Sequence, residues 1–248
     1  KKVAYIHLGN DKGKYLYESL DRYFPTKYFS YYKNEKEILS SLNDYDIVIC
    51  GVHFKSSSPF NNHNLSKSEK LFLKKISKHK NSILTIFSSP YILNTLQIDN
   101  FSSIILSHQN NFHFQDLSGQ LILGSIGAKG KMPISSGKYK IHSGLNTKPK
   151  KIISFGLPEE VGLSSTNLKK IDSILNFAIK IKAIPGAQVL VARNGKVVYN
   201  ECFGFHTYDS LKPVLKHDIY DLASLTKILA AAPIFMNLFE SSKISLKN

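Results

Sequence analysis

Ser224 and Lys227 stand three residues apart in Tyr220-Asp221-Leu222-Ala223-Ser224-Leu225-Thr226-Lys227. On a helix, positions i and i+3 share one face. The lysine amine can then sit beside the serine hydroxyl and, if neutral, take its proton as the oxygen attacks a carbonyl. A lysine does so only where desolvation or neighbouring positive charge lowers its pKa. The residues that follow, Ile228, Leu229, Ala230, Ala231 and Ala232, predict a buried apolar helix. Asp221 is the expected N-cap, which would place Ser224 at N3, near the positive end of the helix dipole.

Spacing alone does not select this pair. Ser30–Lys33, Ser77–Lys80 and Ser135–Lys138 repeat it. Ser224 differs in its setting: a strand-like approach, a cap and then a long apolar run. Read without that setting, the pair is an ordinary helix carrying a surface lysine.

The 248 residues suffice for one large domain or two ordinary ones. No run approaches the roughly 18 apolar residues of a membrane span. Lys1-Lys2-Val3-Ala4-Tyr5-Ile6 reads as a strand rather than a signal peptide. The net charge of +15 raises the possibility of nucleic-acid binding. The lysines, however, are scattered, and the only arginines are Arg22 and Arg193, whereas phosphate clamps favour arginine. No nucleic-acid partner is expected. Cys50 and Cys202 imply neither a disulfide framework nor a metal site, and no cofactor is expected.

From the N-terminus to about residue 130, strand-like and helix-like periods alternate. Strands are expected at 3–8, 27–32, 46–52, 82–87 and 103–106. Helices are expected at 13–24 (Tyr15, Leu16, Leu20 and Phe24 inward), 35–42, 66–78 (Leu71, Phe72, Leu73 and Ile76 inward) and 116–123. This alternation predicts an α/β fold: an αβα sandwich with a mainly parallel sheet covered on both faces. The loop Gly9-Asn10-Asp11-Lys12-Gly13-Lys14 falls one residue short of phosphate-loop spacing. Tyr15 also stands where a magnesium-holding hydroxyl belongs, so it is not read as a nucleotide site. His53 and His63 flank a polar loop and are read as solvated.

Two stretches of this half carry a resemblance. Ile83-Leu84-Thr85-Ile86-Phe87-Ser88-Ser89-Pro90-Tyr91-Ile92-Leu93 is one; residues 120–134 are the other, with Gly124 and Gly127-Ala128-Lys129-Gly130-Lys131-Met132-Pro133-Ile134. Together with His142-Ser143-Gly144-Leu145 they make residues 1–146 similar to the C-terminal αβα domain of glycoside hydrolase family three, closest to its β-N-acetylglucosaminidases. The resemblance implies that the catalytic Asp and the Asp–His pair lie on a preceding TIM barrel. None of those positions is in this chain, and the domain would act as a buttress.

Residues 147–160 read as a linker. After it come a helical stripe (Leu168, Ile171, Ile174, Leu175, Ala178), a Pro185-Gly186 break, a strand at 187–192, Asn194-Gly195 of type I′ hairpin character and a returning strand at 197–205. With Asp221-Leu222-Ala223-Ser224-Leu225-Thr226-Lys227, this order resembles the serine β-lactamase and penicillin-binding protein superfamily, in its class C and esterase branch. Residues 161–248 would be the N-terminal portion of such a domain, an incomplete α+β unit with an antiparallel hairpin. The resemblance implies that Ser224 is the acylated nucleophile, Lys227 its proton partner and the Ser224 N–H one oxyanion donor. The family also needs a Tyr-x-Asn motif and a Lys-Thr-Gly or His-x-Gly strand well downstream, and the sequence stops 21 residues beyond Lys227.

The expectation is therefore a fragment across the junction of a bifunctional cell-wall hydrolase, inactive alone. Its partners would be an upstream TIM barrel and a downstream β-lactamase segment of the same polypeptide. Its substrate would derive from peptidoglycan, and its location would be periplasmic or exported. The alternatives are a non-catalytic scaffold or binding module and, more remotely, a basic nucleic-acid binder.

Overall fold

The computed structural model describes residues 2–54, 65–150 and 152–245. The chain divides into two compact units, Lys1–Phe155 and Gly156–Asn248.

The first unit is the expected α/β fold. Its strands are β1 (Val3–Gly9), β2 (Thr26–Ser30), β3 (Ile47–His53), β4 (Ser82–Phe87) and β5 (Ser103–Leu106), with helices α1 (Lys14–Asp21), α2 (Tyr31–Ser41), α3 (Lys67–Ile76) and α4 (Phe112–Leu123). A two-residue strand, β6 (Ser154–Phe155), closes the unit. The five-stranded sheet runs β2-β1-β3-β4-β5 and every pair in it is parallel, with Val3 opposite both Thr26 and Ile47. The unbroken apolar runs of β1 and β3 follow from burial on both faces. On one face Ala4, Ile6 and Leu8 meet Ile38 of α2 and Phe72, Leu73 and Ile76 of α3. On the other, Val3 and Tyr5 meet Leu16 and Leu20 of α1, with Ile122 and Leu123 of α4 against them.

Three expected inward residues point out: Tyr15, Phe24 and Leu71 are exposed. Leu71 precedes two consecutive core residues, Phe72 and Leu73, and a helix turning 100° per residue cannot bury all three against one flat sheet. Phe24 lies beyond the end of α1.

His53 reverses its expectation. It is fully buried, not solvated; His63 lies outside the described residues. The Tyr5 hydroxyl is 2.7 Å from His53 Nε2, and His53 Nδ1 is 3.1 Å from Asn110 Oδ1. Asn110 Oδ1 also accepts from Gln115 Nε2 at 2.6 Å, and Gln115 Oε1 accepts from the Leu16 N–H at 3.1 Å. An oxygen that accepts both bonds places the histidine proton on Nδ1, leaving Nε2 to accept from Tyr5. This network accounts for the glycine loop. A Cβ on Gly13 would lie 2.0 Å from Tyr5 Oη and 2.4 Å from His53 Nε2, and one on Gly9 would lie 2.1 Å from the His53 carbonyl oxygen. Both glycines also hold positive φ, +60° at Gly13 and +93° at Gly9. They let the backbone close over a buried polar pair; the loop is not a phosphate cradle.

In the second unit, α5 (Ser165–Leu168) and α6 (Lys170–Lys180) precede a hairpin of β7 (Gly186–Arg193) and β8 (Lys196–Gly204). The turn is set by Asn194 and Gly195, with φ of +53° and +74° as a type I′ turn requires. The Tyr199 hydroxyl donates to the Asp172 carboxylate, tying β8 to α6. Cys50 and Cys202 are free thiols, and burial pushes the Cys50 thiol well up.

Two measurements test the first unit. Gly13→Ala is expected to cost about 2–4 kcal/mol, combining left-handed strain with overpacking, read as a lower denaturation midpoint at unchanged slope. The second concerns pH. Burial lowers the His53 pKa from 6.5 to about 4, so the folded chain keeps it neutral where the unfolded chain has taken up a proton. Its contribution is complete above pH 6.5 and is lost as the pH falls towards 4, on the order of 3 kcal/mol. His53→Gln should flatten the stability profile across that window, and an unchanged slope would show that His53 is not the titrating group.

Candidate active site

The segment leading to Ser224 is irregular, not the strand-like approach expected. It is held by side chains instead. His206 Nε2 lies 2.6 Å from Asp218 Oδ2, and the Leu215 N–H donates to the same oxygen at 2.6 Å. The Leu215 N–H first, and then His206, keep the Asp218 carboxyl below its usual range. The His206 ring stacks on Tyr220, with centroids 6.0 Å apart. Sequence reading missed this support, because a His and an Asp twelve residues apart carry no periodic signal.

Asp221 does cap, but over a shorter reach than expected: its Oδ1 accepts from the Ala223 N–H at 2.9 Å, an Asx turn rather than a helix N-cap. Ala223 then takes a positive φ of +43°, which costs a non-glycine residue about 1–2 kcal/mol. Ser224 sits in the turn, and helical residues begin at Leu225, so it precedes the helix rather than occupying N3. Its N–H has no partner among the described residues.

Lys227 Nζ donates to Ser224 Oγ at 3.0 Å. Among the four Ser-x-x-Lys pairs, the described hydrogen bonds join only this one. Ser77 Oγ instead donates to the Lys74 carbonyl at 3.0 Å, Ser135 Oγ accepts from the Ile141 N–H at 3.0 Å, and Lys138 is paired with Asp99. Ser30 ends β2 and makes no side-chain bond to Lys33.

From Lys227 the backbone makes a π-helical turn, Lys227–Ala231, before α7 (Ala232–Glu240). The Ala232 N–H reaches the Lys227 carbonyl, one residue further than in an α-helix. Pro233 comes next; it has no N–H to donate and its ring displaces the carbonyl four residues back, which accounts for the widened turn. The expected burial is absent. Ser224 and Lys227 are exposed, and so are Ile228 (67%), Leu229, Ile234, Phe235 (61%), Met236 and Phe239. Apolar periodicity shows which residues share a helix face; here nothing among the described residues covers that face.

Residues 174–248 match the Beta-lactamase family model. The β-lactamase-like stretch therefore contains the hairpin, the Asx turn and the Ser–Lys contact. Protein flp of Staphylococcus aureus strain NCTC 8325 and Protein flp of strain COL are each 28% identical over 86 residues, 35% of this chain and 17% of theirs. The match spans less than a fifth of the length of these curated relatives. No solved structure matches the chain. Among the described residues no group of His, Cys, Asp or Glu could hold a metal ion, and no helix is long and apolar enough to cross a membrane.

The support around Ser224 can be tested directly. Asp218→Ala should accelerate hydrogen exchange of the Leu215 amide while leaving the Val191 amide of the hairpin unchanged. Equal protection in the variant would show that the carboxylate does not hold this segment.

Proposed function

We propose that the second unit supplies the nucleophile of an acyl-transfer serine hydrolase, with Ser224 as nucleophile and Lys227 as its proton acceptor. The observation that carries this reading is the 3.0 Å Lys227 Nζ–Ser224 Oγ contact inside the β-lactamase-like stretch. In the reaction, a neutral Lys227 takes the Ser224 proton as Oγ bonds to the carbonyl carbon. The unpartnered Ser224 N–H donates to the oxyanion. The proton then passes to the leaving nitrogen or oxygen as its bond to the acyl carbon breaks, and water later releases the acyl group.

A lysine acts as a base only where its surroundings favour the neutral form. Further polypeptide packing on Ile228, Leu229, Phe235 and Met236 would supply that environment, and with it the remaining motifs of the site. The short match to much longer relatives supports such a partner segment. On the resemblance of residues 1–146, the larger protein is a cell-wall amino-sugar hydrolase. It would join a β-N-acetylglucosaminidase barrel to this acyl-serine module and work on peptidoglycan outside the cytoplasm. The exposure of Ser224 and Lys227 favours a second reading, a scaffold in which the serine does no chemistry.

Labelling with a fluorophosphonate or a penicillin separates the two. In the complete protein the adduct is expected at Ser224 alone; Lys227→Ala should abolish it and Lys80→Ala should leave it intact. An unlabelled Ser224, with the downstream motifs present, would establish the scaffold. The 248-residue chain by itself is expected to hydrolyse neither glucosaminides nor β-lactams, because separating members of a cooperating set costs several orders of magnitude. Robust turnover of either would overturn the proposed division of the site.

A further inference from the structure

The chain leaving α4 gathers positive charge on one piece of backbone. From Leu117 to Pro158 the sequence holds seven lysines and neither Asp nor Glu, although the whole chain has 18 acidic residues. Within this stretch, residues 124–150 fold back on themselves as a two-limbed ribbon. The Thr147 N–H donates to the Ala128 carbonyl at 2.9 Å, the Met132 N–H to the Ser143 carbonyl at 2.8 Å and the Lys150 N–H to the Gly124 carbonyl at 2.7 Å. The tip is tied to the body of the unit. The Ser136 hydroxyl donates to the Pro90 carbonyl at 2.7 Å and the Gly137 N–H to Asn94 Oδ1 at 2.5 Å, while Met132 and Tyr139 pack on the core. The ribbon is thus a fixed surface of the first unit.

What the ribbon exposes selects its partner. Lys138 pairs with Asp99, but Lys129, Lys131, Lys140, Lys148 and Lys150 are exposed and in no ion pair among the described residues. Lys131 Nζ donates to the Gly144 carbonyl at 2.5 Å, which joins the two limbs and leaves the charge uncompensated. Beside these lysines stand aliphatic side chains in solvent, Leu145 at 86% exposure and Ile141 at 48%. A nucleic acid would call for arginine forks or aromatic stacking platforms. The ribbon holds no arginine, and its tyrosine, Tyr139, packs against the core. Lysines interleaved with exposed aliphatics fit an anionic lipid surface instead. Ammonium groups meet the headgroup phosphates as point charges, and the aliphatics enter the boundary between headgroups and acyl chains.

We infer that the 124–150 ribbon docks the first unit on the surface of an anionic phospholipid bilayer, its lysines over headgroup phosphates and Leu145 and Ile141 entering the headgroup layer. Adsorption of this kind needs no spanning helix. It requires nothing of Ser224 or of α7, so it holds or fails independently of the acyl-serine reading.

The test is co-sedimentation of the 248-residue chain with vesicles of phosphatidylcholine alone and of phosphatidylcholine with about one-third phosphatidylglycerol. Binding is expected to the anionic vesicles only, and to fall as salt rises from about 0.1 M to about 0.5 M. A lysine near such a surface is worth about fivefold in affinity. Replacing Lys129, Lys131, Lys148 and Lys150 together by Gln should therefore weaken binding about a hundredfold or more. Removing the same charge at Lys33, Lys36, Lys74 and Lys75, exposed on α2 and α3, should weaken it by less than about threefold. Leu145→Ser should weaken binding severalfold without changing its dependence on salt. All these side chains lie on the surface, and thermal melting by circular dichroism checks that each variant folds. Four results would overturn the inference: no binding to anionic vesicles, equal losses in the two quadruple variants, native binding by Leu145→Ser, or tighter binding to a DNA duplex than to vesicles at the same salt.

Discussion

The first unit depends on how closely its backbone approaches the buried Tyr5–His53 pair. The Tyr5 hydroxyl and His53 Nε2 occupy the space that side chains at positions 13 and 51 would fill, and both positions are glycine. Without those two missing Cβ atoms, α1 could not settle on the sheet with Leu16 and Leu20 in the core. A buried imidazole and phenol are tolerated because each polar atom has a partner. The same bonds fix Asn110 and Gln115, and so connect the packing of the sheet to the start of α4.

The second unit is built differently. Its buried apolar side chains among the described residues are few, Pro158, Val161, Val197 and Val214. Its order comes from local devices: the Asn194-Gly195 turn, the Tyr199–Asp172 bond, the His206–Asp218 pair and the Asp221 turn. These suffice to bring Lys227 to Ser224, because the contact spans three residues and needs only the first helical turn. They do not bury it. The contrast between a Ser–Lys contact already formed and a helix face that no described residue covers is the main physical feature of this half.

Lysines of the first unit pair with Glu18 and Asp99, and one of the second unit pairs with Glu160. The first two pairs are exposed and contribute little to stability, and Lys196 of the third is half-buried.

By itself the sequence determined the order and type of the main elements of the first unit and the hairpin of the second. Continuous apolar runs required β1 and β3 to be covered on both faces, Asn194-Gly195 required a hairpin, and the spacing of Ser224 and Lys227 placed them on one side of a turn. These are constraints between near neighbours, set by backbone geometry. Tertiary structure decided what lay against each element. Leu71 is exposed because two neighbours already face the sheet. His53 is buried because Asn110, fifty-seven residues later, returns to accept its proton. Gly9 and Gly13 serve packing, which their phosphate-like spacing could not reveal. The His206–Asp218 support joins two residues with no period between them. Ile228 to Ala232 form the apolar helical run that the sequence announced, yet an apolar run records only composition, and its burial depends on what packs against it.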